Sequence, residues 1–148
     1  MTVSISDVRL WQALDSRGNP TIAARVVAGS GVGDALAPAG ASAGSHEAIF
    51  IRDGRAGEYD GRSVRVHAQD VQERVRHALI GRDAGDPADV DAALRSLDAD
   101  PQLRTLGGNV ATAVSVAAWL AAADSSREEP WRWLAERTDS TPSIPLPM

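Results

Sequence analysis

The apolar residues change their spacing once along this chain, near residue 64, and that change limits what the chain can build. Up to residue 36, apolar residues recur at every second position; from residue 64 on, they recur at every third or fourth. Strands followed by a run of helices predict an α+β fold, a small three-stranded antiparallel sheet packed against about four helices. Val3 and Ile5 alternate with polar residues, and Val8 and Leu10 continue one position out of phase, so a bulge or a change of buried face is expected near Ser6–Asp7. Asp15-Ser16-Arg17-Gly18-Asn19-Pro20 is a dense turn signal. Ile22, Ala24 and Val26 resume the period of two, Gly29-Ser30-Gly31 makes a second turn, and Val32 with Leu36 fits a third short strand.

The helical part divides at its own punctuation. Val64, Ala68, Val71, Val75 and Leu79 mark a first helix stopped by Gly81. Asp86-Pro87 starts a second, with Val90, Ala93, Leu94 and Leu97 on one face. Asn109 is a candidate cap for a third, whose apolar side holds Val110, Ala113, Val114, Ala117 and Ala121. Its alanines permit close approach, so it is expected at the centre. Residues 126–137 read as a fourth, with Pro130 near its start and Trp131 and Leu134 on one face. Residues 1–140 form one predicted domain, and residues 141–148, with proline at 142, 145 and 147, an extended tail.

Composition narrows the chemistry. Aromatic residues are only 4% of the chain, so the core must come from small and branched side chains. The net charge of −5 argues against a nucleic-acid partner, which needs a basic face. All the basic side chains besides histidine are arginine, so no lysine base or Schiff-base amine is available. Without cysteine there is no thiolate chemistry. Residues 1–5 lack the basic start and long apolar run of a signal peptide, and the apolar stretch 110–123 is too short for a membrane span. A cytoplasmic protein with no membrane contact is the expectation.

Residues 38–46 stand apart from both periods. From Ala39 to Ser45 every side chain is small, so packing cannot hold the segment; it reads as a mobile loop able to bring its backbone close to a ligand. Read alone, Ser42 is a serine in a solvated loop. Asp15 and Arg17 read as turn residues rather than as an acid and an electrophile. His46-Glu47 lacks the second histidine of a zinc motif. His67 and His77 fall on a predicted amphipathic helix and read as surface residues. Trp131 and Trp133 read as packing residues rather than ligand stackers.

Three segments carry a family resemblance. Asp15-Ser16-Arg17-Gly18-Asn19-Pro20-Thr21 is the first. Pro38-Ala39-Gly40-Ala41-Ser42-Ala43-Gly44-Ser45-His46-Glu47-Ala48 with Arg52-Asp53-Gly54 is the second, and Leu106-Gly107-Gly108-Asn109 leading to Ala113-Val114-Ser115-Val116-Ala117 is the third. In this order and spacing they resemble the N-terminal domain of the enolase family, over essentially the whole chain. Residues 145–148 also resemble that family's approach to its second domain.

The resemblance implies three strands and four helices capping a barrel domain that these 148 residues do not contain. It implies a lyase that dehydrates 2-phosphoglycerate to phosphoenolpyruvate in glycolysis, with magnesium in the complete site, and no turnover by this chain alone. Gly40, Ala41, Ser42, Ala43 and Gly44 would be the substrate loop, hinged at Gly40, Ala41 and Gly44, and Ser42 a magnesium ligand. The implied partners are a barrel domain or barrel-bearing chain and a small phosphorylated carboxylic acid, with self-association also open. Ala39 and Ala43 lack hydroxyls that the family pattern carries, and Phe50 replaces an acid. Trp11 and Ala23 replace the ion-pairing residues of the usual dimer. The alternatives are a non-catalytic binding module derived from enolase, and a divergent relative acting on another phosphorylated or phosphonate carboxylic acid. Surface left uncovered without a barrel is expected at Trp11, Trp131, Trp133 and the tail.

Overall fold

The order of elements is the one the change of period predicts. In a computed structural model that describes residues 2–40 and 44–144, β1 (Ile5–Leu14), β2 (Pro20–Ala28) and β3 (Gly31–Leu36) come first. They are followed by α1 (Arg65–Leu79), α2 (Pro87–Ser96), α3 (Gly108–Ser126) and α4 (Pro130–Arg137). The sheet is antiparallel in the order β1-β2-β3. Its register slips between Ile5 and Asp7, where the change of phase placed a bulge.

β3 buries the phase opposite to its large residues. Val32 and Leu36 are 44% and 50% exposed, while Gly31, Gly33 and Ala35 are buried. The reason is α3. A Cβ on Gly33 would collide with the carbonyl of Ala117 and lie 2.5 Å from the nitrogen of Ala121. An alanine-rich helix therefore rests almost backbone to backbone on a glycine-bearing strand. α3 packs on β2 and β3 and touches α2 and α4 as well, as its central position in the sequence reading requires. α1 covers β1. Its Gln72 donates to the carbonyl of Val8 at 2.7 Å and accepts from the amide of Leu10 at 2.7 Å, occupying backbone groups that an edge strand would leave open.

The core is built of small and branched residues, with Trp133 its one fully buried aromatic among the described residues. Trp133 stacks on Trp119, ring centroids 6.2 Å apart, beneath the Arg137 guanidinium at 3.8 Å. The α4 face expected from Trp131 and Leu134 is instead 55% and 42% exposed, because the helix turns Trp133 inward. α4 also starts later than expected. Ser126 ends α3, Arg127 breaks it in the left-handed conformation (φ 56°), and Pro130 opens α4. Residues 141–144 carry no regular structure, and Ile144 is 94% exposed; residues 145–148 lie outside the described residues. Among the described residues no helix is long and apolar enough to cross a membrane.

Candidate functional site

Beyond the ends of β2 and β3 lies a cavity of about 740 Å³, walled by residues 38–40, 44–45, 47–50 and Arg52 on one side and by Gln102, Arg104 and the start of α3 on the other. Its construction starts at the third motif. Asn109 was a candidate cap, but Gly107 (φ 87°) holds that position, and Asn109 sits inside the first turn, 3% exposed. Its side chain accepts from the amide of Ile51 at 3.3 Å and donates to the carbonyl of Ile51 at 3.1 Å, so it imitates a neighbouring strand. The backbone does the same on either side: Ile49 donates to the carbonyl of Gln102 at 2.7 Å, and Gly108 to the carbonyl of Ile49 at 2.8 Å. A Cβ on Gly108 would stand 2.7 Å from Cβ of Ala48. The chain leaving the small-residue loop is thereby fixed to the start of α3.

Arg52 ties the first motif to the same place. Its Nη1 donates to the carbonyl of Arg62 at 2.8 Å and, more weakly, to that of Pro20 at 3.4 Å, and its guanidinium lies 4.6 Å from the Phe50 ring centroid. Arg62 in turn donates to Oδ1 of Asn19 at 2.8 Å. Inside that turn, Oδ1 of Asp15 accepts from the amides of Asn19 and Arg17, each at 2.8 Å. The Asn19 amide first, then that of Arg17, hold its carboxyl below the usual range against slight burial. The turn reading of Asp15 stands; its carboxylate is committed to backbone.

Asp53 anchors the segment from behind. Oδ1 accepts from the amide of His67 at 2.9 Å, and Oδ2 from the amide of Val66 at 3.0 Å and the hydroxyl of Ser63 at 2.7 Å. Burial alone would raise its pKa; the Val66 amide, the Ser63 hydroxyl and the His67 amide outweigh that and lower it. His67 is not the surface residue its helix position suggested. It is half-buried, with Nε2 2.9 Å from the carbonyl of Leu106, directly before α3. Asp98, outside the cavity, holds the chain that leads to α3: Oδ2 accepts from the amides of Leu106 at 2.8 Å and Thr105 at 2.7 Å, and Oδ1 from that of Asp100 at 3.0 Å. These amides, Leu106 first and then Asp100, depress its pKa strongly.

The cavity is lined by two guanidinium groups, Arg52 and Arg104, and one carboxylate, Glu47. Arg104 is paired with Asp100 at 3.0 Å, and Oε2 of Glu47 accepts from the amide of Gly44 at 2.6 Å. Among the described residues no three histidine or acidic side chains converge as a metal would require, and one carboxylate does not make a magnesium site. Oxygen ligands would have to come from outside these residues. Gly40 and Gly44 of the expected substrate loop line the cavity; Ala41, Ser42 and Ala43 lie outside the described residues. His46 and His77 are exposed, and Trp131 and Trp133 are on α4, which forms no part of the cavity wall.

The family model "Enolase, N-terminal domain" matches residues 5–134. This chain belongs to the enolase N-terminal domain family. The match takes in all three strands, α1 to α3 and most of α4. In this enolase N-terminal domain the second and third motifs, far apart in sequence, line one cavity from its two sides, and the first is tied to the second through the bonds of Arg52 to Pro20 and of Arg62 to Asn19. Sequence reasoning missed the anchoring parts played by Asn109, Arg52 and His67. The signal for Asn109 was present in Leu106-Gly107-Gly108-Asn109, but a helix start preceded by glycines reads equally well as an ordinary cap.

Proposed function

We propose that this enolase N-terminal domain caps the active site of an enolase-type lyase. A barrel domain, in the same chain or another, would supply the base, the acidic metal ligands and most substrate contacts. The reaction on this reading is the dehydration of 2-phosphoglycerate to phosphoenolpyruvate. The observation that supports it most is that the second and third motif segments line one cavity, while the first is bonded to the second through Arg52. Residues 38–40, 44 and 45 line that cavity, and the segment after them is pinned by Asn109 at Ile51 and by Arg52 to the carbonyl of Arg62.

The domain's own contributions are positional. Asn109 and Arg52 fix the chain that follows the loop. Arg52 and Arg104 place one guanidinium on each side of the cavity, Arg104 already paired with Asp100, as contacts proposed for a phosphorylated carboxylate. Ser42 is the residue proposed to offer oxygen to magnesium in the complete site, where the metal would stabilise negative charge on the substrate. The test is phosphoenolpyruvate absorbance with 2-phosphoglycerate and magnesium. The 148-residue chain alone is expected to give no turnover, and the chain joined to an enolase barrel domain is expected to give clear turnover. Activity of the pure chain, or a folded but inert joined protein, would reject the reading.

A further inference from the structure

His67 stands near the start of α1, and both its backbone and its ring are committed. Its amide donates to Oδ1 of Asp53 at 2.9 Å. Its ring Nε2 lies 2.9 Å from the carbonyl oxygen of Leu106; a carbonyl only accepts, so Nε2 carries the hydrogen and donates. Leu106 is fully buried, and its own amide donates to Oδ2 of Asp98 at 2.8 Å. The residue that leads into α3 is therefore gripped at its amide and at its carbonyl. Gly107 follows with φ 87°, and a Cβ there would stand 3.1 Å from Nε2 of His67 and 3.3 Å from Cδ1 of Ile51. The imidazole, Ile51 and Asn109 crowd around one glycine.

These bonds close a circuit. It runs from the Asn109 side chain to the backbone of Ile51, along the chain to Asp53, and across to the amide of His67. It then passes through the ring to Leu106 and along the chain back to Asn109. Arg52 and Asn109, two members of the circuit, line the cavity from its two sides, and Gly108 lines it beside Asn109. In this circuit the imidazole is the member that joins α1 to the start of α3. We propose that His67 is a positioning residue for the reaction of the capped site: its ring sets the backbone of Leu106 to Asn109, and so the place at which Asn109 holds Ile51. The proposal rests on the cap reading. His67 is not among the residues lining the cavity, so it acts through the wall and not on the substrate. A ring with hydrogen on Nε2 donates whether or not Nδ1 is also protonated, so the grip persists in both states. The side-chain amide introduced by His67→Gln also donates from about the same reach, and His67→Ala removes the donor.

Two measurements on the same variants test it. In the 148-residue chain, the amides of Ile51 and Gly108 donate to Oδ1 of Asn109 and to the carbonyl of Ile49. Their hydrogen exchange should quicken by about tenfold in His67→Ala and return close to the wild-type rate in His67→Gln. In the chain joined to an enolase barrel domain, His67→Ala should lower kcat for 2-phosphoglycerate by about tenfold with KM changed by less than about twofold. His67→Gln should recover most of that loss, and the pH profile of kcat should keep its shape in both variants. Val75→Ala, in the buried core of the same helix, should lower the urea midpoint and leave kcat unchanged. Unchanged exchange at Ile51 and Gly108 in His67→Ala would overturn the proposal, whatever the enzyme does. So would quicker exchange with an unchanged kcat, or a loss of kcat that Val75→Ala matches. An inert wild-type joined protein would instead reject the cap reading, and the exchange result would still decide whether His67 holds the start of α3.

Discussion

Gly33 is the residue on which the packing of the two layers turns. No side chain fits between β3 and α3 there, because the helix backbone already fills the space. Gly33→Ala should therefore cost about 3 kcal/mol, seen as a lower urea midpoint at unchanged slope. Gly18 makes a useful contrast. It has open space around the position of a Cβ but a φ of 76°, so Gly18→Ala should cost only about 1–2 kcal/mol, from backbone strain alone. Equal losses at the two positions would mean that the close approach of α3 to β3 is not what makes Gly33 necessary.

Among the elements, α1 depends on a carboxylate from outside itself. Asp53, in the loop before the helix, accepts the amides of Val66 and His67 and so fills the place of an N-cap that Val64 cannot provide. Its folded-state pKa lies below its unfolded value. The unfolded chain therefore takes up the proton first as pH falls, and the stability Asp53 provides is present above about pH 4 and lost below it. Asp15 and Asp98 are lowered by the same kind of bond and act in the same direction. Stability should hold between about pH 5 and 8 and decline below about 4. Asp53→Asn should lower stability at pH 7 by about 1–2 kcal/mol and make the acid decline shallower. A variant with an unchanged acid profile would show that another group carries it.

The same elements show what was legible in the sequence. Existence and order of strands and helices followed from period, and the bulge near Ser6–Asp7 from a change of phase, because local spacing reports which face is buried. Val32 and Leu36 gave the strand but not its buried face. The glycines that face α3 have no side chain to announce burial, and only the long-range contact with Ala117 and Ala121 explains them. Trp133 packs, as read, but in the core and not on the uncovered surface expected of it, and Asn109 is no cap, for a related reason: their places are set by Trp119 and by Ile51, partners distant in sequence. The first and second motifs were visible as words, yet nothing local joins them. The bonds of Arg52 and Arg62 that do so exist only in the fold.

At the scale of the molecule, a helix layer lies on one face of a sheet and a cavity opens between the second and third motifs, with the first bonded to the second through Arg52. Membership of the enolase N-terminal domain family accounts for the layers. The cap reading accounts for this arrangement of the motifs, and it gives the cavity wall its purpose as the fixed base of the loop that holds Ser42. The most direct measurement is kcat for 2-phosphoglycerate with this chain joined to an enolase barrel domain, comparing the wild-type sequence with Ser42→Ala. Loss of one oxygen that acts on the reacting centre should lower kcat by about 100-fold without changing the unfolding midpoint. A Ser42→Ala protein that is equally stable and equally fast would contradict the account.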